Sequence, residues 1–164
     1  MDENVGVEAL QEMERILREE TVGYVGLSRG GEPYVVPVNY FYADGTVAFH
    51  CGSEGKKIDC MKANPSVCFV VGRQMGDVRR HAGGALCHID NDSVICYGTG
   101  RTLDDLDERG EALNAFSRRF QPDAEEISRE QVEKCTVVEI KISEMTGRTE
   151  RDRTHAHWRY EFLG

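Results

Sequence analysis

A short segment in the first half of the chain combines the groups that could hold a phosphate. The segment 53–57 (SEGKK) follows His50 and contains a serine hydroxyl, a glycine and the ammonium groups of Lys56 and Lys57. Apolar residues at helical spacing predict a short helix over 57–64. Main-chain N–H groups at a helix start and nearby ammonium groups attract phosphate. A solvated surface turn is the alternative, because charged pairs are common on protein surfaces.

The overall charge makes this pair of lysines an exception. The 164 residues carry a formal net charge of −9, and their number predicts a single domain over 1–164. An acidic protein repels polyanions, which argues against nucleic acid and anionic membrane surfaces as partners. A small anionic ligand would therefore need a local cationic pocket of the kind that the segment 53–57 could form.

The termini and the cysteines bear on the cellular compartment. The first ten residues, MDENVGVEAL, lack the apolar core of a signal peptide, and no apolar run is long enough for a transmembrane helix. We therefore expect a cytoplasmic protein. Six cysteines stand at positions 51, 60, 68, 87, 96 and 135. They form no CxxC pair, which disfavours zinc, and we interpret them as small buried hydrophobes kept reduced.

The spacing of the apolar residues predicts the helices and strands that position the segment 53–57. A helical period predicts a helix over 7–19, and alternation predicts a strand from Thr21 onward. Turn signals at 29–32 and 43–45 join it to strands over 33–42 and 46–51. Three antiparallel strands in succession exclude a parallel βαβ unit, whose crossovers are longer.

The remainder of the chain predicts further strands around helices. The predictions are a strand over 66–71, a loop over 72–84, strands over 86–89 and 94–99 joined by a hairpin at 90–92, a helix over 106–120, an exposed acidic segment over 121–133 and a strand over 137–142. Roughly seven short strands and three helices favour a closed or nearly closed antiparallel barrel, because closure removes exposed edges. A ferredoxin-like sheet is the alternative, although its strands alternate with helices early in the chain.

The segment 33–71 carries a resemblance to a known family. Its sequence, PYVVPVNYFYADGTVAFHCGSEGKKIDCMKANPSVCFVV, contains PxVVPVNY and FHxGxxGKKxxxxxxNPxVCF. It resembles the pyridoxamine-phosphate-oxidase-like FMN-binding split barrels, and within them most of all the Nim-type nitroimidazole-resistance branch. The resemblance implies a mainly β fold with flanking α, an antiparallel Greek-key split β-barrel of the FMN-binding type. The implied layout is an N-terminal helix at about 7–19, a barrel at about 21–148 and a C-terminal tail at 149–164.

The same resemblance implies a set of site residues. The flavin ring is expected against the strand that holds Pro37, whose missing N–H marks an edge or an interruption of the sheet. A histidine matching His50 lies in the active site of Nim-like proteins, so His50 is also the candidate catalytic residue. The expected cofactor-binding residues are Pro37, Val38, Asn39, His50, Ser53, Lys56, Lys57 and Arg148. No metal is expected, since His155 and His157 lack a third ligand; Trp158 is expected to pack on the barrel or on a partner subunit.

The function that follows is an FMN-dependent oxidoreductase, in which an external donor reduces the flavin and a small acceptor, such as a nitroaromatic, is reduced in turn. The alternative is a protein that binds or stores flavin or haem without turnover. FAD and haem are accordingly the alternative cofactors. The resemblance also implies a homodimer with FMN near the subunit interface, and small-molecule donors and acceptors as its other partners.

Overall fold

A computed structural model describes residues 3–80, 88–152 and 154–162, with nine strands and four helices in that part of the chain. Its strands are β1 (Glu3–Val5), β2 (Val22–Arg29), β3 (Glu32–Asn39), β4 (Phe41–Ala43), β5 (Thr46–Cys51), β6 (Ser66–Arg79), β7 (His88–Thr102), β8 (Thr136–Arg151) and β9 (Thr154–Glu161). Its helices are α1 (Val7–Glu19), α2 (Lys56–Ala63), α3 (Leu106–Phe120) and α4 (Arg129–Glu133). None of these helices is long and apolar enough to cross a membrane.

The strands encircle one core in a ring that opens at one point. Strand β2 pairs with β3 and β6, and the ladder continues from β6 through β7 and β8 to β5 and β4. A single residue, Tyr40, joins β3 to β4, so the chain rather than a ladder completes the ring. All of these pairs are antiparallel, while β9 and the parallel strand β1 extend the sheet beyond β8. Neighbours distant in sequence, such as β2 and β6, confirm the predicted antiparallel Greek-key split β-barrel with flanking helices.

The N-terminal helix and the first two hairpins fold as the apolar pattern predicts. Helix α1 spans the predicted residues 7–19 and turns its apolar stripe onto the core. The hairpins between β2 and β3 and between β4 and β5 are confirmed. Their central residues, Gly30 with Gly31 and Asp44 with Gly45, have positive φ, as tight hairpin turns require.

Tyr40 fixes the point at which the ring opens. The strand predicted over 33–42 is interrupted there and becomes β3 and β4. The ring of Tyr40 is fully buried and lies edge-on to that of Phe69, with 4.9 Å between centroids. Its hydroxyl donates to the Leu17 carbonyl of α1 at 2.6 Å. Burial raises the pKa of the Tyr40 phenol, so this hydroxyl remains a neutral donor.

Two aspartates expected in a turn lie inside the longest ladders. The hairpin predicted at 90–92 is wrong, because β7 runs through these residues without a break. Asp90 and Asp92 are buried, and arginines of β6 compensate their charges. Arg73 Nε donates to Asp92 at 2.8 Å, and Arg79 Nη2 donates to Asp90 at 2.6 Å. These pairs allow acidic residues in a strand interior, where an unpaired charge would be costly.

Two segments predicted to be irregular also contain strands. The loop predicted over 72–84 is wrong in its first part, since β6 continues to Arg79. Residues 81–87, which include the rest of that loop, the start of the next predicted strand and one cysteine, lie outside the described part. The tail predicted over 149–164 holds the end of β8 and the whole of β9. Trp158 packs against the core from β9, which confirms its predicted contact with the barrel.

A second, smaller core lies on the outer face of β8. The acidic segment 121–133, predicted to be exposed, contains α4, which begins with a capping box between Ser128 and Gln131. Val132 of α4 is buried and packs with Leu113 of α3 in this second cluster. The cluster holds α3 and α4 against the barrel beside the end of β5.

Candidate functional site

The start of α2 presents free main-chain donors. Gly55 precedes the helix with a φ of +119°, a conformation that favours glycine, and α2 begins at Lys56. The first main-chain bond of the helix runs from the Asp59 N–H to the Gly55 carbonyl, so the N–H groups before Asp59 have no partner within the helix. No side chain caps this end of α2 among the described residues. These donors and the positive end of the helix dipole can hold an anion.

The two lysines flank this helix start and lean on different strands. Lys56 Nζ lies 5.1 Å from the ring centroid of Tyr34 in β3, and Lys57 Nζ lies 5.1 Å from that of Phe49 in β5. Neither ammonium forms an ion pair with any residue that the structure describes. Burial raises the pKa of the neighbouring Cys51 thiol, and the positive charge of Lys57 partly opposes that rise. The site therefore keeps two uncompensated positive charges on either side of the barrel opening.

The barrel opens between β3 and the end of β5. The last residue pair of the β4–β5 ladder toward this end is Phe41 with Ala48. If the register of the β4–β5 ladder continued, Asn39 would lie opposite His50 and Pro37 opposite Gly52. Among the described strands, however, β3 pairs only with β2. Pro37 thus lies on an edge strand, as its missing N–H predicts. The free edge of β3 and the start of α2 border the same opening.

A cavity of about 550 Å³ adjoins this opening. It is lined by Asn39, His50, Leu113, Phe116, Ser117, Phe120, Gln121, Ile127, Gln131 and Cys135. The His50 ring meets the Phe116 ring edge-on, with 4.8 Å between centroids. Asn39 donates its Nδ2 to the Thr21 carbonyl at 3.0 Å, which leaves the Oδ1 of its carboxamide to accept. The structure therefore brings together two of the predicted site residues, Asn39 and His50.

The walls that α3 contributes to this cavity could not be predicted from the sequence alone. Phe116 and Phe120 stand one helical turn apart on the predicted helix over 106–120. Their rings lie 4.9 Å apart, and Phe120 is 45% exposed, which a core residue would not be. The sequence signal for these walls is a pair of phenylalanines near the end of an amphipathic helix. Only the fold shows that they face a cavity.

The other predicted site residues lie at different places in the fold. Ser53 is exposed in the turn before α2. The side chain of Val38 is buried in the main core, so only its backbone can face a ligand. Arg148 lies on β8, eleven residues beyond the β8 residue that pairs with His50. This separation corresponds to roughly 36 Å along a strand. It donates to Glu150 at 3.0 Å. Within one chain Arg148 does not join the opening, and its membership of the site remains a prediction.

The histidines of β9 belong to no group of three or more metal-ligand side chains among the described residues. His155 Nδ1 lies 3.9 Å from a carboxylate oxygen of Glu150 and 3.4 Å from Nη2 of Arg148. His157 stands opposite Arg148 in the β8–β9 ladder. Within residues 3–80, 88–152 and 154–162, no cluster of three or more histidine, cysteine or acidic side chains could hold a metal ion.

Comparisons with solved structures find the same fold in several other proteins. A candidate 5-nitroimidazole antibiotic resistance protein from Bacteroides thetaiotaomicron VPI-5482 is 28% identical, with a TM-score of 0.74 over 86% of this chain and 84% of that one. An FAD-binding protein from Mesorhizobium loti is 26% identical, with a TM-score of 0.63 over 86% and 94%. The flavocytochrome Anf3 from Azotobacter vinelandii has a TM-score of 0.76 over 94% and 78%; its 17% identity supports the fold alone. No protein of curated function matches the sequence.

A family comparison covers most of the chain. The model of the family described as pyridoxamine 5'-phosphate oxidase matches residues 10–149. This range contains the barrel opening, the start of α2 and all the predicted cofactor-binding residues. Together with the Bacteroides structure it confirms the resemblance recognised in the segment 33–71. The chain belongs to the pyridoxamine 5'-phosphate oxidase family.

Proposed function

We propose that this protein binds FMN at the barrel opening and acts as an oxidoreductase toward a small acceptor. The observation that carries the proposal is the start of α2, where Lys56 and Lys57 have no ion-pair partner in the described part of the chain and stand beside main-chain N–H groups that have no partner within the helix. In a chain with a net charge of −9, two uncompensated cations at a helix start favour a phosphate monoester as ligand. Bound FMN would supply the redox chemistry, and the protein would supply position and electrostatics.

The residues around the opening fit the rest of such a cofactor. The free edge of β3 offers the backbone of Val38 and the side chains of Pro37 and Asn39 to a flat ring. His50 borders the opening from the other side. The family membership and the likeness to an FAD-binding protein support a flavin in this position. The likeness to a candidate nitroimidazole resistance protein supports a nitroaromatic as one possible acceptor.

The phosphate interaction can be tested separately from the ring. FMN and riboflavin share the ring and differ in the phosphate, so their dissociation constants report on the two parts of the site. The double variant Lys56→Gln, Lys57→Gln should weaken FMN binding by about 100-fold, since each charge-assisted bond contributes about 1.5 kcal/mol or more. Riboflavin binding should change by less than about twofold, because no charged group of the ligand is affected.

Lys62→Gln is the matched control for that experiment. Lys62 is exposed in the last turn of the same helix, so its replacement removes the same charge away from the helix start. FMN affinity should stay close to that of the parent protein. An equal loss of FMN binding in Lys62→Gln and in the double variant would refute a phosphate site at the start of α2.

The second candidate function is non-catalytic binding or storage of flavin or haem. The observation in its favour is that His50, a ligand type suited to haem iron, borders an apolar cavity of about 550 Å³. The absorbance spectrum of the purified protein separates the cases, because flavin gives two broad bands and haem gives a sharp Soret band. Anaerobic addition of NADH and NADPH then tests turnover. A colourless protein that takes up neither cofactor would refute both candidates.

We further propose that the protein is a homodimer in the cytoplasm. Exposed apolar side chains, Tyr24, Val35 and Tyr97, lie on one outer face of the sheet and border a groove of about 700 Å³. A patch of this kind supports a protein interface, and a second copy could bring its own Arg148 toward the opening. The five described cysteines are free, which supports a reducing compartment.

A further inference from the structure

The cavity beside the barrel opening has walls that the proposed flavin site does not use. Asn39 and His50 border both spaces, whereas the remaining walls come from α3, α4 and the segments next to α4. We infer that this cavity binds the electron acceptor, and that it selects uncharged planar aromatic compounds against anions of the same shape. The inference rests on the proposed function only in calling the ligand an acceptor; the selectivity follows from the cavity itself.

The lining of the cavity contains no fixed charge. Its ten lining residues include no aspartate, glutamate, lysine or arginine, although these types make up 30% of the chain. The two arginines beside Phe120 do not line the cavity. Arg119, whose guanidinium lies 5.6 Å from the centroid of the Phe120 ring, donates to main-chain carbonyls of Arg18 and Glu20, and Arg118 lies 3.7 Å from Glu126. A carboxylate or phosphate inside this cavity would lose part of its hydration, and no lysine or arginine lines the cavity to compensate its charge, which is unfavourable.

The apolar walls favour a flat ring. The His50 and Phe116 rings meet edge-on at 84°, and Phe120 lies tilted by 46° against Phe116. An aromatic ligand can stack on or abut such surfaces, and these contacts add to the burial of its apolar area. The volume of about 550 Å³ lies within the range of small-molecule sites and admits a compound of one or two rings.

Besides the His50 imidazole and the Cys135 thiol, the polar groups of the lining are amides and a hydroxyl, which can orient a ligand without charge. Gln131 is held in place by the capping box, where its Oε1 accepts from Ser128 and leaves Nε2 as a donor. Asn39 likewise leaves Oδ1 as an acceptor. Donors and acceptors of this kind suit nitro, carbonyl and carboxamide substituents, whose oxygens accept and whose amide N–H groups donate.

A pair of probes that differ only in charge tests the inference. Equilibrium dialysis of the purified protein, with whatever cofactor it carries, measures the binding of 4-nitrobenzamide and of 4-nitrobenzoate without any turnover. The amide should bind about 100-fold more tightly than the carboxylate, because only the carboxylate is buried with its charge unpaired. Phe116→Leu, which keeps an apolar side chain but removes the ring, should weaken amide binding by about fivefold.

A charge added to the wall should reduce the preference for the amide by about tenfold. Gln121 lies at the end of α3 and lines the cavity, so Gln121→Lys should tighten 4-nitrobenzoate binding by about tenfold and leave the amide within about twofold. The control is Gln11→Lys, which adds the same charge at an exposed position of α1. It should leave both dissociation constants unchanged.

The outcomes separate this inference from the proposed function. Equal binding of the two probes, binding of neither, or the same effect of Gln121→Lys and Gln11→Lys would each overturn the selectivity assigned to the cavity. A protein that prefers the amide but takes up no flavin would refute the proposed function while leaving that selectivity intact. A protein that binds FMN but shows no preference between the probes would refute the selectivity and leave the proposed function intact.

Discussion

Asn39 and His50 line one cavity from the two strands between which the barrel opens, although the ladder that would pair them ends at Phe41 and Ala48. The register of β4 and β5 would set them opposite each other if it continued. Because it stops, their side chains border a space large enough for a ligand instead of a continuous sheet. The polar groups of the site therefore stand where the barrel opens.

Replacing His50 is expected to change the rate of the reaction more than the stability of the fold. It is exposed at the end of β5, and its described ring contact is with Phe116. His50→Ala should lower the rate of acceptor reduction by about tenfold or more, because a positioned group is lost beside both the opening and the cavity. His157→Ala on β9 is the control and should keep the parent rate. Unchanged flavin affinity together with an unchanged rate in His50→Ala would remove His50 from the site.

Arg119 joins α3 to the end of α1 and to Tyr40. Its Nη2 donates to the carbonyls of Arg18 and Glu20, at the end of α1, and its guanidinium lies 5.1 Å from the ring centroid of Tyr40. Arg119→Met keeps the length of the side chain but removes these donors. We expect the free energy of unfolding, measured with urea, to fall by about 2–3 kcal/mol, the usual contribution of charge-assisted bonds.

The neighbouring arginine provides the control for that measurement. Arg118 is exposed, and its described ion pair is a 3.7 Å contact with Glu126, itself 83% exposed. Surface pairs of this kind contribute little, so Arg118→Met should change the free energy of unfolding by less than about 0.5 kcal/mol. Equal losses in the two variants would show that Arg119 has no special part in joining α1 to α3.

The sequence allowed the local elements near the site to be predicted, because their signals are local. The helix over 7–19, the first two hairpins and the start of α2 follow from apolar period and turn residues within a few positions. The lysines could be singled out for the same reason, since Lys56 and Lys57 adjoin the glycine that precedes the helix. Local patterns suffice wherever the structure depends on neighbours in the chain.

The parts that were predicted wrongly or missed depend on distant partners. Asp90 and Asp92 resemble turn residues until Arg73 and Arg79 are known to lie across the ladder from them. The cavity required α3 to pack beside the end of β5, a contact between residues more than sixty positions apart such as His50 and Phe116. No local pattern carries that information, so a single sequence could not yield it.

The cysteines should react slowly in the folded protein. Burial raises the pKa of the Cys51, Cys68, Cys96 and Cys135 thiols. A raised pKa leaves less thiolate at pH 8, so iodoacetamide should modify these residues more slowly than in urea, and the rate should climb as the pH approaches the raised values. Fully buried Cys96 should be the slowest of the four. Peptide mass spectrometry follows each site, and equal rates with and without urea would contradict the prediction.

The proposed dimer interface can be tested with one charge. Tyr97 is 44% exposed on the apolar outer face of the sheet and borders its groove, so Tyr97→Glu should bury an unpaired carboxylate in any interface formed there. Sedimentation velocity at micromolar concentration should show a dimer for the parent protein and a monomer for this variant. Val7→Glu, at an exposed apolar position of α1, should remain dimeric. A parent protein that sediments as a monomer with FMN bound would show that the site is complete within one chain.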